Sequence, residues 1–308
     1  TNDKNIIVNS IKWQHTLWQY QNSYQISSEL VKSKNLISLP KPRRLKENHQ
    51  STENYFPSYA NNSRQLVYVS SINNKTEIML LDEDGNETQL TSKTPYDFSL
   101  TQLKWSKDDT QIMFSANHAI YLLHIKTGVI SRVTDKSYDV DTPSWASDGR
   151  HIYFTANKSG DWQVWRIDLA GENLTQITQH GGAGAQESVD GKTLYFHKYE
   201  QQGLWKKSVA ENKLEPLNNN ETLLIDDFSR SGYVSWQVFA QGIYYHSFTD
   251  RKSAIKYWNL SKSSSQKLIE KTNRKLNASH FSVTSDQQFI TVLHSTYQSK
   301  IQKLSKTK

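Results

Sequence analysis

Five carboxylates hold the positions with most chemical promise. Asp97, Asp139, Asp141, Glu187 and Asp227 each fall in a link between one group of short apolar runs and the next, and Tyr96, Tyr138 and Tyr55 occupy similar links. Acids gathered around one opening would attract a cation or a basic peptide, and rings beside them would add contact area. The same acids would also serve simply to solvate loops. Histidine offers less. His118 and His124 lie six residues apart with no carboxylate at ligand spacing, so no metal is expected. His180 precedes the glycine-rich stretch Gly181-Gly182-Ala183-Gly184. A phosphate cradle would need a Lys-Ser/Thr pair and a following helix, so this stretch reads as a connecting loop. Gly191-Lys192-Thr193 lacks the leading glycine, because position 186 is Gln. There is no Gly-x-Ser-x-Gly elbow of the hydrolase kind. With 0 cysteines there can be no disulfide framework and no cysteine zinc site. We therefore expect no cofactor and no catalysis, and a site that binds.

The elements that would position such a site are repeated. Pro143–Thr178 divides into short strands at Pro143–Ala146, His151–Ala156, Gln163–Asp168 and Leu174–Thr178, separated by turns at Ser147-Asp148-Gly149, Lys158–Asp161 and Ala170-Gly171-Glu172. The same order recurs in Pro57–Thr91, Leu103–Thr134 and Gln186–Leu217, and more weakly in Trp236–Ile269 and Phe281–Leu304. The endings Thr91, Thr134 and Thr178 are 43 and 44 residues apart. A period of about 40–45 residues with four strands per unit is the signature of a propeller blade. The second strand of each copy is apolar throughout, as a strand covered on both faces must be. Gly suits the tight turns because it accepts a positive φ, and Asp109 and Gln287 replace it in two copies.

These units predict an all-β fold of about seven four-stranded blades, with six as the alternative: 1–50, 51–95, 96–138, 139–180, 181–222, 223–273 and 274–308, all in one domain. The first copy reads as Ile6–Ser10, Thr16–Gln21 and Arg43–Lys46, with an inserted loop over Tyr24–Ser38. It lacks an innermost strand, and the last copy lacks an outermost one. Both would then be supplied from upstream of Thr1, and the chain would be a piece of a longer protein.

Bulk properties agree with a folded, water-exposed ring. Mean hydropathy is −0.74, yet 9 Trp, 16 Tyr and 10 Phe supply rings enough for a core. The net charge of +7 is spread over 308 residues, too thinly for a nucleic-acid surface. No run of 18 apolar residues occurs, so no helical membrane span is expected.

The run from Pro143 to Asp168, with Pro143-Ser144-Trp145, Ser147-Asp148-Gly149, Ile152-Tyr153-Phe154 and Val164-Trp165-Arg166, resembles the WD40-like repeat of TolB-type propellers. Pro42-Arg43-Arg44-Leu45, followed by Phe56-Pro57-Ser58, Leu66–Ser70 and Ile78, resembles the C-terminal propellers of ToxR/CadC-like membrane-bound transcriptional regulators. That resemblance implies a sensory domain on the periplasmic side of the bacterial inner membrane, tethered by an upstream transmembrane helix behind a winged-helix DNA-binding domain. Its partner would be a peptide, protein or small-molecule signal at the channel mouth, met by Tyr96, Asp97, Tyr138, Asp139, Asp141, Glu187 and Asp227. The alternatives are a free-standing periplasmic TolB-like scaffold and, further off, the propeller part of a hydrolase or peptidase.

Overall fold

The protein is described here by a computed structural model that covers residues 6–21, 43–44, 51–72, 75–91, 102–135, 137–209, 220–229, 236–249, 252–271 and 276–304. Among these residues every helix or strand is a strand. Four units are separate antiparallel sheets of four strands. The first holds β7 (Lys104–Trp105), β8 (Gln111–Ala116), β9 (Ala119–His124) and β10 (Ile130–Arg132). The second holds β11 (Val140–Trp145), β12 (His151–Ala156), β13 (Gln163–Asp168) and β14 (Thr175–Gln176). The third holds β15 (Ala183–Glu187), β16 (Thr193–His197), β17 (Leu204–Ser208) and β18 (Thr222–Ile225). The fourth holds β19 (Trp236–Phe239), β20 (Gly242–Thr249), β21 (Lys252–Asn259) and β22 (Ser264–Lys271).

The fifth sheet has eight strands. One half is β3 (Ser51–Tyr59), β4 (Leu66–Ile72), β5 (Lys75–Leu81) and β6 (Glu87–Gln89). The other is β23 (Leu276–Val283), β24 (Phe289–Leu304), β1 (Ile6–Gln21) and β2 (Arg43–Arg44). β1 lies antiparallel to β24 along its whole length, from Ile6 opposite Leu304 to Gln21 opposite Phe289. One parallel pairing, His15 with Glu53, joins the halves.

Hydrogen bonding therefore groups the strands into five sheets, which corrects both the seven blades expected and the six-bladed alternative. The physical reason lies at the ends of the chain. The first and last copies, counted separately in the sequence, are one hydrogen-bonded unit. β1 is a single strand where two short ones were expected. It occupies the β24 edge that the sequence reading left for an upstream strand. The inserted loop over Tyr24–Ser38 lies outside the described residues.

Strand period explains the packing. On β12, Ile152, Phe154 and Ala156 face one neighbouring sheet while Tyr153 faces the other. β8 divides Ile112, Phe114 and Ala116 from Met113 in the same way, and β4 divides Val67 and Val69 from Leu66 and Tyr68. Side chains that alternate faces and are apolar on both must be covered twice. Tyr195 and Ile243 then join β16 to β20, and Tyr244 and Ile290 join β20 to β24. Leu293 of β24 packs with Tyr59, Leu66 and Tyr68 and returns the stack to its start. Each fully buried Leu, Ile or Phe contributes about 2 kcal/mol of apolar transfer.

The recurring threonines have a stated job. Thr91, Thr134 and Thr178 accept hydrogen bonds through their hydroxyl oxygens from the backbone N–H groups of Ile78, Ile120 and Val164, at 2.9, 3.0 and 2.9 Å. Each replaces a ladder bond where the outermost strand has ended. Gln89, Arg132 and Gln176 donate to the carbonyls of the same threonines. The turn after each innermost strand is also shared. Ser106, Ser188 and Thr284 each donate to an aspartate two residues on, at 2.6 Å. The left-handed position in that turn is Gly149 or Gly191 in two copies and Asp109 or Gln287 in the others, with φ of 64°, 72°, 56° and 57°. The non-glycine residues use their side chains across sheets. The Asp109 carboxylate accepts from the backbone N–H groups of Asn61 and Asn62, and Gln287 accepts from the Tyr244 hydroxyl.

Replacing Thr178 by Val keeps the shape but leaves the Val164 N–H and the Gln163 side-chain oxygen without the hydroxyl they share. Thr178 is fully buried, so urea unfolding should show a loss of about 1–3 kcal/mol. Unchanged stability would refute this role for the repeated threonine.

Candidate functional site

The innermost strands surround an axis, and their side chains link one sheet to the next around it. Trp105 Nε1 donates to the Ser58 carbonyl at 2.9 Å, and Trp145 Nε1 to the Lys104 carbonyl at 3.2 Å. The Ser144 hydroxyl donates to the Ala185 carbonyl at 2.5 Å, and Gln186 Nε2 to the Trp236 carbonyl at 2.8 Å. Gln237 accepts from the Val283 N–H at 3.0 Å, and the Tyr59 N–H donates to the Ser282 hydroxyl at 3.0 Å. Within this girdle is a cavity of about 210 Å³ lined by Trp105, Trp145, Trp236, Gln186, Lys104 and His280 among others. Trp145 and Glu187 are the last residues of their strands, so the cavity lies toward the end of the axis where the innermost strands turn into the second strands.

The predicted acids divide between the two ends. Asp139 and Asp141 enter β11 at the opposite mouth. The Asp139 side chain is half exposed, and its carboxylate lies 3.5 Å from His118 Nδ1. Asp141 accepts from the Ser115 hydroxyl at 3.0 Å and the Thr142 N–H at 2.7 Å. Tyr138 is half-buried against the β8–β12 core, with the Lys158 ammonium 4.8 Å from its ring centroid. Burial, then the charge of Asp135, raises its phenol pKa. Asp227 is already engaged, by Tyr245 at 2.9 Å, by Ser247 at 3.1 Å and by a close ion pair with Lys256. Burial opposes its ionisation, but Lys256 and Tyr245 outweigh that and hold the carboxyl below the usual range. Glu187 departs from the sequence reading: it ends β15 at the other mouth and accepts from the Ser147 N–H at 2.6 Å and the Tyr153 hydroxyl at 2.8 Å. Tyr96 and Asp97 lie outside the described residues. A ring made of all these acids is therefore not what the described residues form; Asp139 and Asp141 share one mouth.

Beside that pair stand rings the sequence reading passed over. Trp162, Tyr199 and Phe248 are 36%, 46% and 56% exposed. Trp162 and Tyr199 belong to the turns joining the second and third strands of two successive sheets, and Phe248 to the end of β20 where the next sheet makes the same turn, on the same face as Asp139. Trp162 and Tyr199 meet edge to face at 6.3 Å. Burial, then Asp141, pushes the Tyr199 phenol up to about 12. Tyr199 is held from below. His197 packs edge-on against it at 5.6 Å and stacks on Phe228 at 6.1 Å. The adjacent Lys198 is buried, paired with Glu221 at 2.7 Å, and lies 4.3 Å from the Trp205 ring centroid. Two amides of the glycine-rich loop beside this face are occupied. Gly182 N–H donates to the Trp162 carbonyl, and Gly184 N–H to the hydroxyls of Thr155 and Thr142. A Cβ on Gly182 would meet the Thr178 hydroxyl at 2.6 Å, so glycine is required there by close packing. The available signal for the exposed rings was their place in turns, Trp162 beside Asp161 and Tyr199 beside Glu200.

His118 and His124 sit at opposite ends of β9. Among the described residues no three His, Cys, Asp or Glu side chains converge in a way that could hold a metal ion.

Four-stranded sheets stacked around a lined axis define a β-propeller. The chain belongs to the TolB beta propeller domain family, whose family model matches residues 49–232. It is similar to the uncharacterized protein Atu1656 of Agrobacterium fabrum, 28% identical over 132 residues, which cover 41% of this chain and 44% of that one. It is also similar to the Tol-Pal system protein TolB of Francisella tularensis, 34% identical over 68 residues, which cover 21% of this chain and 15% of that one. The chain thus spans less than half the length of these curated relatives. The crystal structure of TolB from Acinetobacter baumannii shares the fold, with a TM-score of 0.57 at 16% identity over 94% of this chain and 65% of that one.

The buried histidines give the wall a pH dependence. Burial lowers His197 and His246 to about 4, from an unfolded value near 6.5. The unfolded chain therefore binds more protons between those values, and stability falls as pH drops from about 6.5 to about 4. The loss should be of order 3 kcal/mol for each histidine. His197→Gln should flatten this limb in urea titrations at stepped pH. An unchanged slope would contradict the neutral buried state.

Proposed function

We propose that this propeller is a non-catalytic, protein-binding module of the TolB kind. It would take a segment of a partner protein on the face that carries Trp162, Tyr199, Phe248, Asp139 and Asp141. The observation that carries this reading is the exposure of Trp162 and Tyr199, in contact with each other and with Asp141 close enough to act on the Tyr199 phenol. Aromatic anchors on a rigid frame lose little conformational freedom on binding, and neighbouring acids favour a segment with Lys or Arg. Likeness to Tol-Pal system proteins supports a periplasmic setting.

A sensory role within a ToxR/CadC-like regulator would use the same face. It would also require a transmembrane helix and a winged helix encoded upstream. The described residues behind that narrower resemblance, Phe56-Pro57-Ser58, Leu66–Ser70 and Ile78, lie in the axial and core positions of β3, β4 and β5. Any blade of this family needs residues of that type there, and the scaffold reading is favoured.

Peptides selected from a displayed random library on the full chain should be enriched in Lys or Arg next to an aromatic residue. Trp162→Ala with Tyr199→Ala should weaken the best of them by about tenfold or more. Selected peptides that bind the double variant unchanged would contradict the proposal. So would turnover of peptide or glycan libraries by the purified protein.

A further inference from the structure

Successive seams of the ring differ at the end where each innermost strand turns into the second strand. Between the β3–β4 turn and the first sheet, the Asp109 carboxylate accepts from the backbone N–H groups of Asn61 and Asn62, at 2.8 and 2.7 Å. Between the second and third sheets, Glu187 accepts from the Ser147 N–H at 2.6 Å. In both, an acid of the following sheet caps the turn of the sheet before it. The bond that closes each turn sets the correspondence: Ala60 N–H to the Gln65 carbonyl, Ser106 to Gln111, Ala146 to His151 and Ser188 to Thr193. Lys107 and Asp108 therefore take the places of Asn61 and Asn62. Across the seam from them, Trp145 stands where Glu187 stands a sheet later, and Gly149 stands where Asp109 stands a sheet earlier. The seam between the first and second sheets has no capping acid, and the Lys107 N–H has no acceptor among the described residues.

A cavity of about 290 Å³ lies at this seam, lined by Lys107, Asp108 and Gln111 on one side and by Trp145, Gly149 and Leu169 on the other. A Cβ on Gly149 would meet no atom within 4 Å, whereas one on Gly191, the same position a sheet later, would lie 2.5 Å from the Ser147 hydroxyl. Trp145 and Leu169 are half-buried against the β8–β12 core, and Lys107 and Asp108 are exposed. The Asp108 carboxylate is turned into its own loop, accepting from the Ser106 hydroxyl at 2.6 Å and the Thr110 N–H at 3.2 Å. Asp148 does the same with the N–H groups of Arg150 and His151, and Glu187 still caps the neighbouring Ser147. An aspartate at this place in the turn is thus compatible with a capping acid beside it. A backbone donor and a lysine side chain next to an indole and a leucine suit a carboxylate on an apolar body.

We propose that the seam between the first and second sheets binds a carboxylic acid with an apolar body. Its carboxylate would cap the Lys107 N–H, as Asp109 and Glu187 cap the neighbouring turns, and its body would lie against Trp145 and Leu169. A small free acid and the C-terminal residue of a partner chain offer the same chemistry. Neither the aromatic face nor its partner enters this proposal, so the two stand or fall separately.

The test follows the Lys107 amide by NMR of the isotope-labelled full chain. The probes are phenylacetate, for a free acid, and N-acetylphenylalanine, for a chain terminus, each with its uncharged amide as control. One or both acids should move the Lys107 resonance saturably, and the amides should not. Gly149→Asp places a carboxylate where Asp109 has one, on a left-handed backbone that Asp109 already adopts, φ 64° against 56°. It should fill the seam from within and weaken the acids about tenfold or more. Leu169→Ala shortens the apolar wall and should weaken them about threefold or more, which keeps the test open if Gly149→Asp does not fold. Tighter binding of phenylacetate would identify a free acid as the source, and tighter binding of N-acetylphenylalanine a chain terminus. An unmoved Lys107 resonance, an equal response to the amides, or unchanged affinity in either folded variant would overturn the proposal.

Discussion

A strand that is apolar on both faces cannot end a stack, and this constraint governs the whole molecule. β4, β8, β12, β16, β20 and β24 all carry it: Val67 and Tyr68, Phe114 and Met113, Phe154 and Tyr153 point in opposite directions from neighbouring positions. Each sheet covers half of the next sheet's apolar surface and leaves its own other half to be covered. An open row would leave one such face in water at each end. A circle leaves none, so the polar composition of the chain and its wealth of buried rings are compatible.

Closing the circle falls to the two ends of the chain. β1 lies along β24 for sixteen pairs, and Leu293 packs into the cluster around Tyr59, Leu66 and Tyr68. The Tyr59 hydroxyl meets that of Thr291 at 2.7 Å, and Arg64 of the β3–β4 turn pairs with Asp286 at 2.6 Å. At the axis, side-chain bonds to backbone groups hold successive innermost strands together. Lateral packing makes the ring and the girdle sets its bore. Function then depends on what the ring leaves unused, the exposed rings at one end of it.

Much of this was legible in the sequence. The threonines at 43- and 44-residue spacing mark hydroxyl bonds that take over where each outermost strand ends, and the Asp-Gly turns mark real left-handed positions. The number of units was not legible, because a strand is the same string of residues whichever neighbour it pairs with. Ile6–Gln21 looked like pieces of its own blade, and only three-dimensional pairing assigns it to β24. The candidate site was legible in part. Asp139 and Asp141 lie together where β11 begins. Glu187 looked equivalent but lies one strand length away, at the other end of β15. Asp227 is neutralised by Lys256 from β21, a partner distant in sequence. Tyr199 carries no motif; what distinguishes it is its exposure.

The direct test of the account is amide hydrogen exchange across β1 and β24. If the ends of the chain close the ring, amides in Ile6–Gln21 should be protected together with those of Phe289–Leu304 and should open in one cooperative step with them. Exchange of Ile6–Gln21 at the rate of an unstructured chain, with Phe289–Leu304 still protected, would contradict the closure from which the cavity and both faces follow.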